Sequence, residues 1–133
     1  MNLVVDASAL VAIAFREPEE PVFTEILLRA SGKVMSPVNY WEALVRVRAV
    51  YGVAGAEMVE DLMKTFAITV EPVTQRHARL AVEAFARFGK GQPAKLNLGD
   101  CFAYALAQDF ARPLLFKGLD FPQTDILDAS ASK

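Results

Sequence analysis

Cysteine and histidine are almost absent: Cys101 and His77 are the only ones in 133 residues. A lone thiol excludes an intramolecular disulfide and any multi-cysteine metal site, and it suits a reducing cytoplasm. A lone imidazole excludes a pair of histidines sharing acid–base work on RNA. There is no basic excess either, because the net charge is −2. The chain therefore carries no global footprint of a nucleic-acid binder, and any RNA contact has to come from a local patch. Charged residues interrupt every apolar run before membrane-spanning length, and MNLVVDASAL sets no positive region ahead of an apolar stretch. Neither a membrane anchor nor a signal peptide is expected. Gly89-Lys90-Gly91 lacks the spacing and the Ser/Thr of a phosphate-binding Walker loop.

What is present is a folding composition. Hydrophobic residues make up 53% and charged residues 23%, enough to bury a core in one domain spanning 1–133. Leu3-Val4-Val5 is a short continuous apolar run, as in a strand covered on both faces, and it stops at Asp6. Helical residues follow from Ala7 to Arg16, where Glu17-Pro18 breaks the pattern. Glu19 to Ala30 reads as a second helix with Phe23, Ile26, Leu27 and Ala30 on one stripe. Val34-Met35 precedes Ser36-Pro37, the pattern of a strand feeding a helix that runs to about Tyr51 and stops at Gly52. A further helix is expected over Ala54–Phe66, a strand over Ile68–Val70, and a helix from a Thr74 cap through Phe88. The polar loop Gly89–Leu96 leads to Asn97, which caps a helix through Phe110 whose run from Cys101 to Ala107 is apolar on every side, hence central. Pro113–Phe116 is the last strand, followed by a turn at Gly118. Alternating strands and helices predict a three-layer α/β/α domain around a mostly parallel sheet.

In such sheets ligands sit beyond the carboxyl ends of the strands. Four acids are expected to approach that edge: Asp6 after the first strand, Glu42 early in the helix after the second, Asp100 in the first turn of the buried helix, and Asp120 after the last strand. Each has a plain alternative. Asp6 suits a helix cap, Glu42 could pair with Arg46, Asp100 complements a helix dipole, and Asp120 could merely make a turn. Two features favour a shared site. Glu42 lies on the helical row of Val38, Val45 and Ala49, an awkward place for a free charge, and Asn97 already caps the helix of Asp100. Carboxylates brought together repel one another, and a divalent cation relieves that repulsion. An all-oxygen donor set suits Mg²⁺ or Mn²⁺ and disfavours Zn²⁺.

The stretches VVDASAL, NYWEAL, FGKG with LNLGDCFAYALA, and LLFKGLDFPQTDI occur in that order along the chain. Together they resemble the PIN-domain nucleases, and within them the VapC-type toxins, over essentially the whole length. The resemblance implies a Mg²⁺-dependent endoribonuclease with metal held by Asp6, Glu42, Asp100 and Asp120. It also implies a homodimer restrained by a small cognate VapB-like antitoxin. The fourth family acid maps onto Asp120, with Asp125 as an outer-shell acid close enough to compete for that role. Ser8 and Thr124 offer hydroxyls that could orient a metal-bound water, although Ser8 equally suits a bond to the first turn of its own helix. Lys90, Lys95 and Lys117 are candidates for phosphate contacts, against the plain alternative of solubilising surface lysines.

Other residues fit duller roles. His77 is expected on a helix surface between Arg76 and Arg79, and Cys101 is expected to pack in the core. The row Tyr40, Leu44, Val47 and Tyr51 suits packing better than base stacking. With Phe15 and Phe23 it would supply apolar surface for an antitoxin helix. Two rival classes remain: a PIN-like module that binds RNA or protein without cutting, and a phosphoacceptor signalling domain. The intact set of four acids disfavours the first. The second normally pairs acids after the first strand, where Asp6 stands alone.

Overall fold

The computed structural model describes residues 1–131. Four strands, β1 (Leu3–Val5), β2 (Lys33–Met35), β3 (Thr69–Val70) and β4 (Leu114–Leu115), form one all-parallel sheet in the order β3-β2-β1-β4. Six helices flank it: α1 (Ala7–Ala14), α2 (Glu20–Arg29), α3 (Pro37–Tyr51), α4 (Val53–Thr65), α5 (Gln75–Phe88) and α6 (Leu98–Phe110). The expected α/β/α architecture is the observed one.

Side-chain alternation along the short strands divides the core in two. Leu3 and Val5 of β1, Met35 of β2 and Leu115 of β4 pack with Leu10, Leu27, Val47 and Val59 from α1 to α4. Val4, Val34 and Leu114 point the other way, into Ala81 and Ala84 of α5 and the buried run of α6. Every residue of β1 is buried, so its hydrophobic run needs no polar alternation. Cys101 belongs to the second core, and burial pushes its thiol up to about 11, with Asp100 adding to the shift. It packs as a small hydrophobe, as expected.

The chain moves outward from β1 to β2 and β3, then crosses back to lay β4 on the other side of β1. That reversal puts the topological switch at the carboxyl ends of β1 and β4. There the Asp6 N–H donates to the Leu115 carbonyl at 2.9 Å, continuing the ladder one residue beyond β1. Gly52 alone joins α3 to α4, at φ 66° and ψ −148°. That left-handed backbone favours glycine and lets the two helices fold directly against each other.

Three expectations about single positions fail. His77 is not on the surface: it is 5% exposed, its Nδ1 accepts from the Thr74 N–H at 3.2 Å, and its Nε2 meets Asp109 Oδ2 at 2.8 Å. Asp109 also accepts from Arg76 Nε at 2.7 Å, and these bonds, Arg76's first, hold its carboxyl below the usual range. The imidazole thus caps α5 and ties it to α6. Phe23 is buried in the first core and cannot serve as exposed apolar surface. Val45 and Ala49 face solvent, so the row they share with Glu42 is not a buried one. Val47 and Leu44 do pack inward, while Tyr51 stays exposed against Phe15, with ring centroids 5.8 Å apart.

Candidate active site

Four carboxylates from four separate segments line one small cavity of about 150 Å³ at the switch point: Asp6, Glu42, Asp100 and Asp120. Ser8, Arg46, Asn97 and Lys117 complete much of its wall. The cavity is smaller than several hollows elsewhere on the molecule. Its size and polar lining suit ions and water rather than an apolar ligand.

Asp6 is positioned from three directions. It is the N-cap of α1, where Oδ2 accepts from the Ser8 N–H at 3.0 Å and from the Ser8 hydroxyl at 2.6 Å. The Ser8 hydroxyl in turn accepts from the Lys117 N–H at 2.9 Å, coupling the segment after β4 to the acid. Asn39 Nδ2 lies 3.5 Å from Asp6 Oδ1 and donates to the Gly99 carbonyl at 2.9 Å. Both groups facing that nitrogen are acceptors, which fixes the amide's orientation. Asn39 is fully buried, and its Oδ1 has no hydrogen-bond partner. It therefore pins α3, α6 and the end of β1 together at a real cost in desolvation. Sequence reasoning passed over Asn39, although the helical offsets of Asn39, Glu42 and Arg46 place all three on one face.

Asp100 works at the N-terminus of α6. Its Oδ2 accepts from the Asn97 N–H at 3.1 Å while Asn97 Oδ1 accepts from the Asp100 N–H at 2.9 Å, a reciprocal capping box. Asn97 and Asp100 thus cap together, where the sequence suggested Asn97 alone. Glu42 rests on the residue before Asp100: a Cβ at Gly99 would stand 2.7 Å from Glu42 Oε1. Gly99 is therefore the residue that admits the Glu42 carboxylate to the cavity, a second position that the sequence signalled only as a glycine inside a helix. No Glu42–Arg46 ion pair forms among the described residues, so Arg46 adds positive charge to the cavity wall without neutralising Glu42.

The electrostatics follow from this crowding. Burial pushes the Asp6 carboxyl up to about 7. The charges of Asp100 and Glu42 push the same way, against the lowering effect of the Ser8 bonds. Burial, followed by Glu42 and Asp120, pushes Asp100 up to about 6 against the Asn97 bond. Among the described residues none of the four acids forms an ion pair, although Arg46 lines the same wall. Lys117, which also lines the cavity, directs its Nζ to Glu17 Oε1 at 2.9 Å and Glu19 Oε1 at 3.3 Å. Its expected phosphate contact competes with those two acids.

The remaining sequence candidates fall outside the cavity. Thr124 donates to the Phe121 carbonyl at 2.7 Å and accepts from the Ile126 N–H, closing its own turn. Asp125 accepts from the Tyr104 hydroxyl and meets Arg87 Nη2 at 3.3 Å, fastening the C-terminal segment to α5 and α6. Neither side chain lines the acidic cavity, whereas Asp120 does. Lys90 and Lys95 line a neighbouring hollow.

The donor set fits a hard divalent cation: it offers oxygen ligands only, around one small cavity, and burial, with neighbouring carboxylates adding to it, opposes ionisation of Asp6 and Asp100. Among the described residues no three carboxylates already converge as a finished ligand set. Asp6 and Asp100 each accept a local N–H through Oδ2, which leaves Oδ1 of each outside those capping bonds.

The fold gathers four acids at the topological switch point, and the comparisons give its family. The PIN domain family model matches residues 3–127, and the chain belongs to that family. Ribonuclease VapC42 of Mycobacterium tuberculosis is 40% identical over 129 residues, covering 96% of this chain and 98% of that protein. Ribonuclease VapC28 of the same species is 38% identical over 126 residues, covering 93% and 95%. The crystal structure of Mycobacterium tuberculosis VapC20, a sarcin-ricin loop cleaving toxin, superposes with a TM-score of 0.78 over 95% of this chain and 97% of that one. At 15% identity that likeness speaks for the fold alone. Among the described residues no helix is long and apolar enough to cross a membrane.

Proposed function

We propose that this protein is a Mg²⁺-dependent endoribonuclease that hydrolyses RNA phosphodiester bonds and acts as the toxin of a type II toxin–antitoxin pair. The observation carrying the reading is the cavity in which Asp6, Glu42, Asp100 and Asp120 meet, with two carboxyls raised by burial and mutual repulsion. Relatives named ribonucleases at about 40% identity support the activity.

In this reading the four acids hold the cation. Mg²⁺, or Mn²⁺ in its place, supplies Lewis acidity and neutralises charge on the scissile phosphate. The chain's own residues do the positioning. Ser8 and Asn39 fix the rotamer of Asp6, Gly99 admits Glu42, and the capping box sets Asp100 at the mouth of α6. Arg46 at the cavity wall can receive a phosphate oxygen. Ser8 already spends its hydroxyl proton on Asp6, so it acts on the acid rather than on water.

A homodimer and a cognate VapB-like antitoxin in the cytoplasm complete the proposal. Exposed Trp41, Val50 and Tyr51 on α3 leave apolar area for a partner, without Phe23. A basic antitoxin residue entering the acidic cavity would compete with metal for the same charge.

Incubating purified protein with RNA, with Mg²⁺ or with EDTA, tests the activity. Cleavage that survives EDTA, or no cleavage at all, refutes it. Expression of the chain alone should arrest growth, and Asp6→Asn should abolish the arrest. Harmless expression of an active enzyme refutes the toxin role and leaves the nuclease reading standing.

A further inference from the structure

Next to the acidic cavity lies a more open hollow of about 740 Å³, formed where the end of α5 meets the loop before α6. Phe85, Lys90, Gln92 and Lys95 line it, and Asn97 lines both this hollow and the acidic cavity. We propose that it is a nucleotide subsite for single-stranded RNA. Phe85 stacks on an unpaired base, and Lys90 and Lys95 meet the phosphates on either side, leading the strand past Asn97 to the carboxylates. The proposal rests on the ribonuclease reading above.

The hollow combines two properties rarely found together by accident. Phe85 is 50% exposed, so a large part of its ring is open to solvent in the last turn of α5. Its position is supported: a Cβ at Gly89 would stand 2.4 Å from Phe85 Cδ1 and 2.8 Å from Cε1, so the ring lies directly over a glycine. The two lysines make no ion pair among the described residues, unlike Lys117 with Glu17 and Glu19. A ligand here must bring negative charge and a flat apolar face together, and a nucleotide carries both.

The loop is also built before any ligand arrives. Ala94 and Leu96 are buried in the second core, and the Leu96 N–H donates to the Phe88 carbonyl at 2.8 Å. Gln92 N–H to Gly89 O at 3.0 Å and Lys95 N–H to Gln92 O at 3.2 Å close the turns between them. Lys95 itself sits at φ 54°, a left-handed backbone that a lysine adopts only where its surroundings impose it. Little ordering entropy is left to lose on binding. With a net charge of −2 and acids concentrated in the neighbouring cavity, Lys90 and Lys95 form the local cationic patch that the composition as a whole lacks. An A-form duplex offers no free base face, so the subsite selects single strands.

The test is fluorescence anisotropy with a short labelled single-stranded RNA, using full-length protein carrying Asp100→Asn so that the probe survives. Adding Phe85→Ala should weaken binding roughly 5- to 150-fold, the range of one lost base stack. Phe85→Trp should restore it. Lys90→Gln and Lys95→Gln should each flatten the salt dependence of log K by about 0.7, while Lys64→Gln on α4 should leave it unchanged. Unchanged affinity in Phe85→Ala overturns the subsite while wild-type cleavage keeps the nuclease reading. Phe85-dependent binding by a wild-type protein that cannot cut does the reverse. Loss of self-association in Phe85→Ala, with RNA affinity intact, would assign the hollow to a second copy of the chain and refute the proposal.

Discussion

Asp100→Asn should make the metal-free protein more stable, and only above the acid range. The Asp100 carboxyl is raised from 3.8 to about 6 by burial and by Glu42 and Asp120. Folding therefore opposes its ionisation: the penalty is absent below pH 3.8, grows as pH rises, and is complete above about pH 6. A shift of that size corresponds to about 3 kcal/mol if the site were dry. Solvent reaches part of the side chain, which brings the gain on neutralisation to about 1–2 kcal/mol. The capping bond survives, because an Asn carbonyl accepts from the Asn97 N–H as the carboxylate does. For a chain of this length the gain amounts to a rise in Tm of roughly 3–10 °C. Thermal unfolding by circular dichroism in EDTA at about pH 8 and about pH 4 measures it. The advantage should be present at the higher pH and vanish at the lower. Saturating Mg²⁺ should reverse the ranking, since a ligand at a hundredfold its Kd adds about 2.7 kcal/mol to the form that binds it. An Asp100→Asn protein no more stable than wild type in EDTA at the higher pH, or an advantage that grows in acid, would refute the burial and repulsion at Asp100 on which the proposed cation site relies.

Gly99→Ala should move stability and activity apart: helix propensity favours alanine by up to about 1 kcal/mol, but the added Cβ displaces Glu42, so RNA cleavage should fall while the helical signal holds. Cleavage at the wild-type rate would show that Glu42 need not occupy its place. Asp120→Ala should raise the Mg²⁺ concentration needed for cleavage, whereas Asp125→Ala should instead cost about 1–2 kcal/mol by orphaning its bond with Tyr104. A Mg²⁺ titration beside a denaturant titration separates the two, and the opposite ranking would make Asp125 the ligand. His77→Ala should leave the Mg²⁺ requirement untouched yet destabilise the protein by about 1–3 kcal/mol, through loss of the α5 cap and the Asp109 bond. A variant as stable as wild type in urea would refute the structural role of that imidazole.

The sequence by itself determined the architecture and the acids. Strand β1, the Ser36-Pro37 start of α3, its stop at Gly52, and the apolar run of α6 follow from local rules of propensity and capping, and the structure follows them. Asp6, Glu42, Asp100 and Asp120 were legible because parallel strands direct whatever follows them to one edge of the sheet. Tertiary structure decided what surrounds each acid. The burial of His77 depends on α5 lying against Asp109 of α6, 32 residues away, which no local period encodes. Asn39 becomes the link between Asp6 and the Gly99 carbonyl only when α3 crosses α6. Lys117 is drawn to Glu17 across 100 residues of chain and to Glu19 beside it, and Asp125 turns to Tyr104 rather than into the acidic cavity. Helix and strand periods record which face of an element is apolar, whereas polar partnerships across elements depend on distances that exist only after the layers have packed.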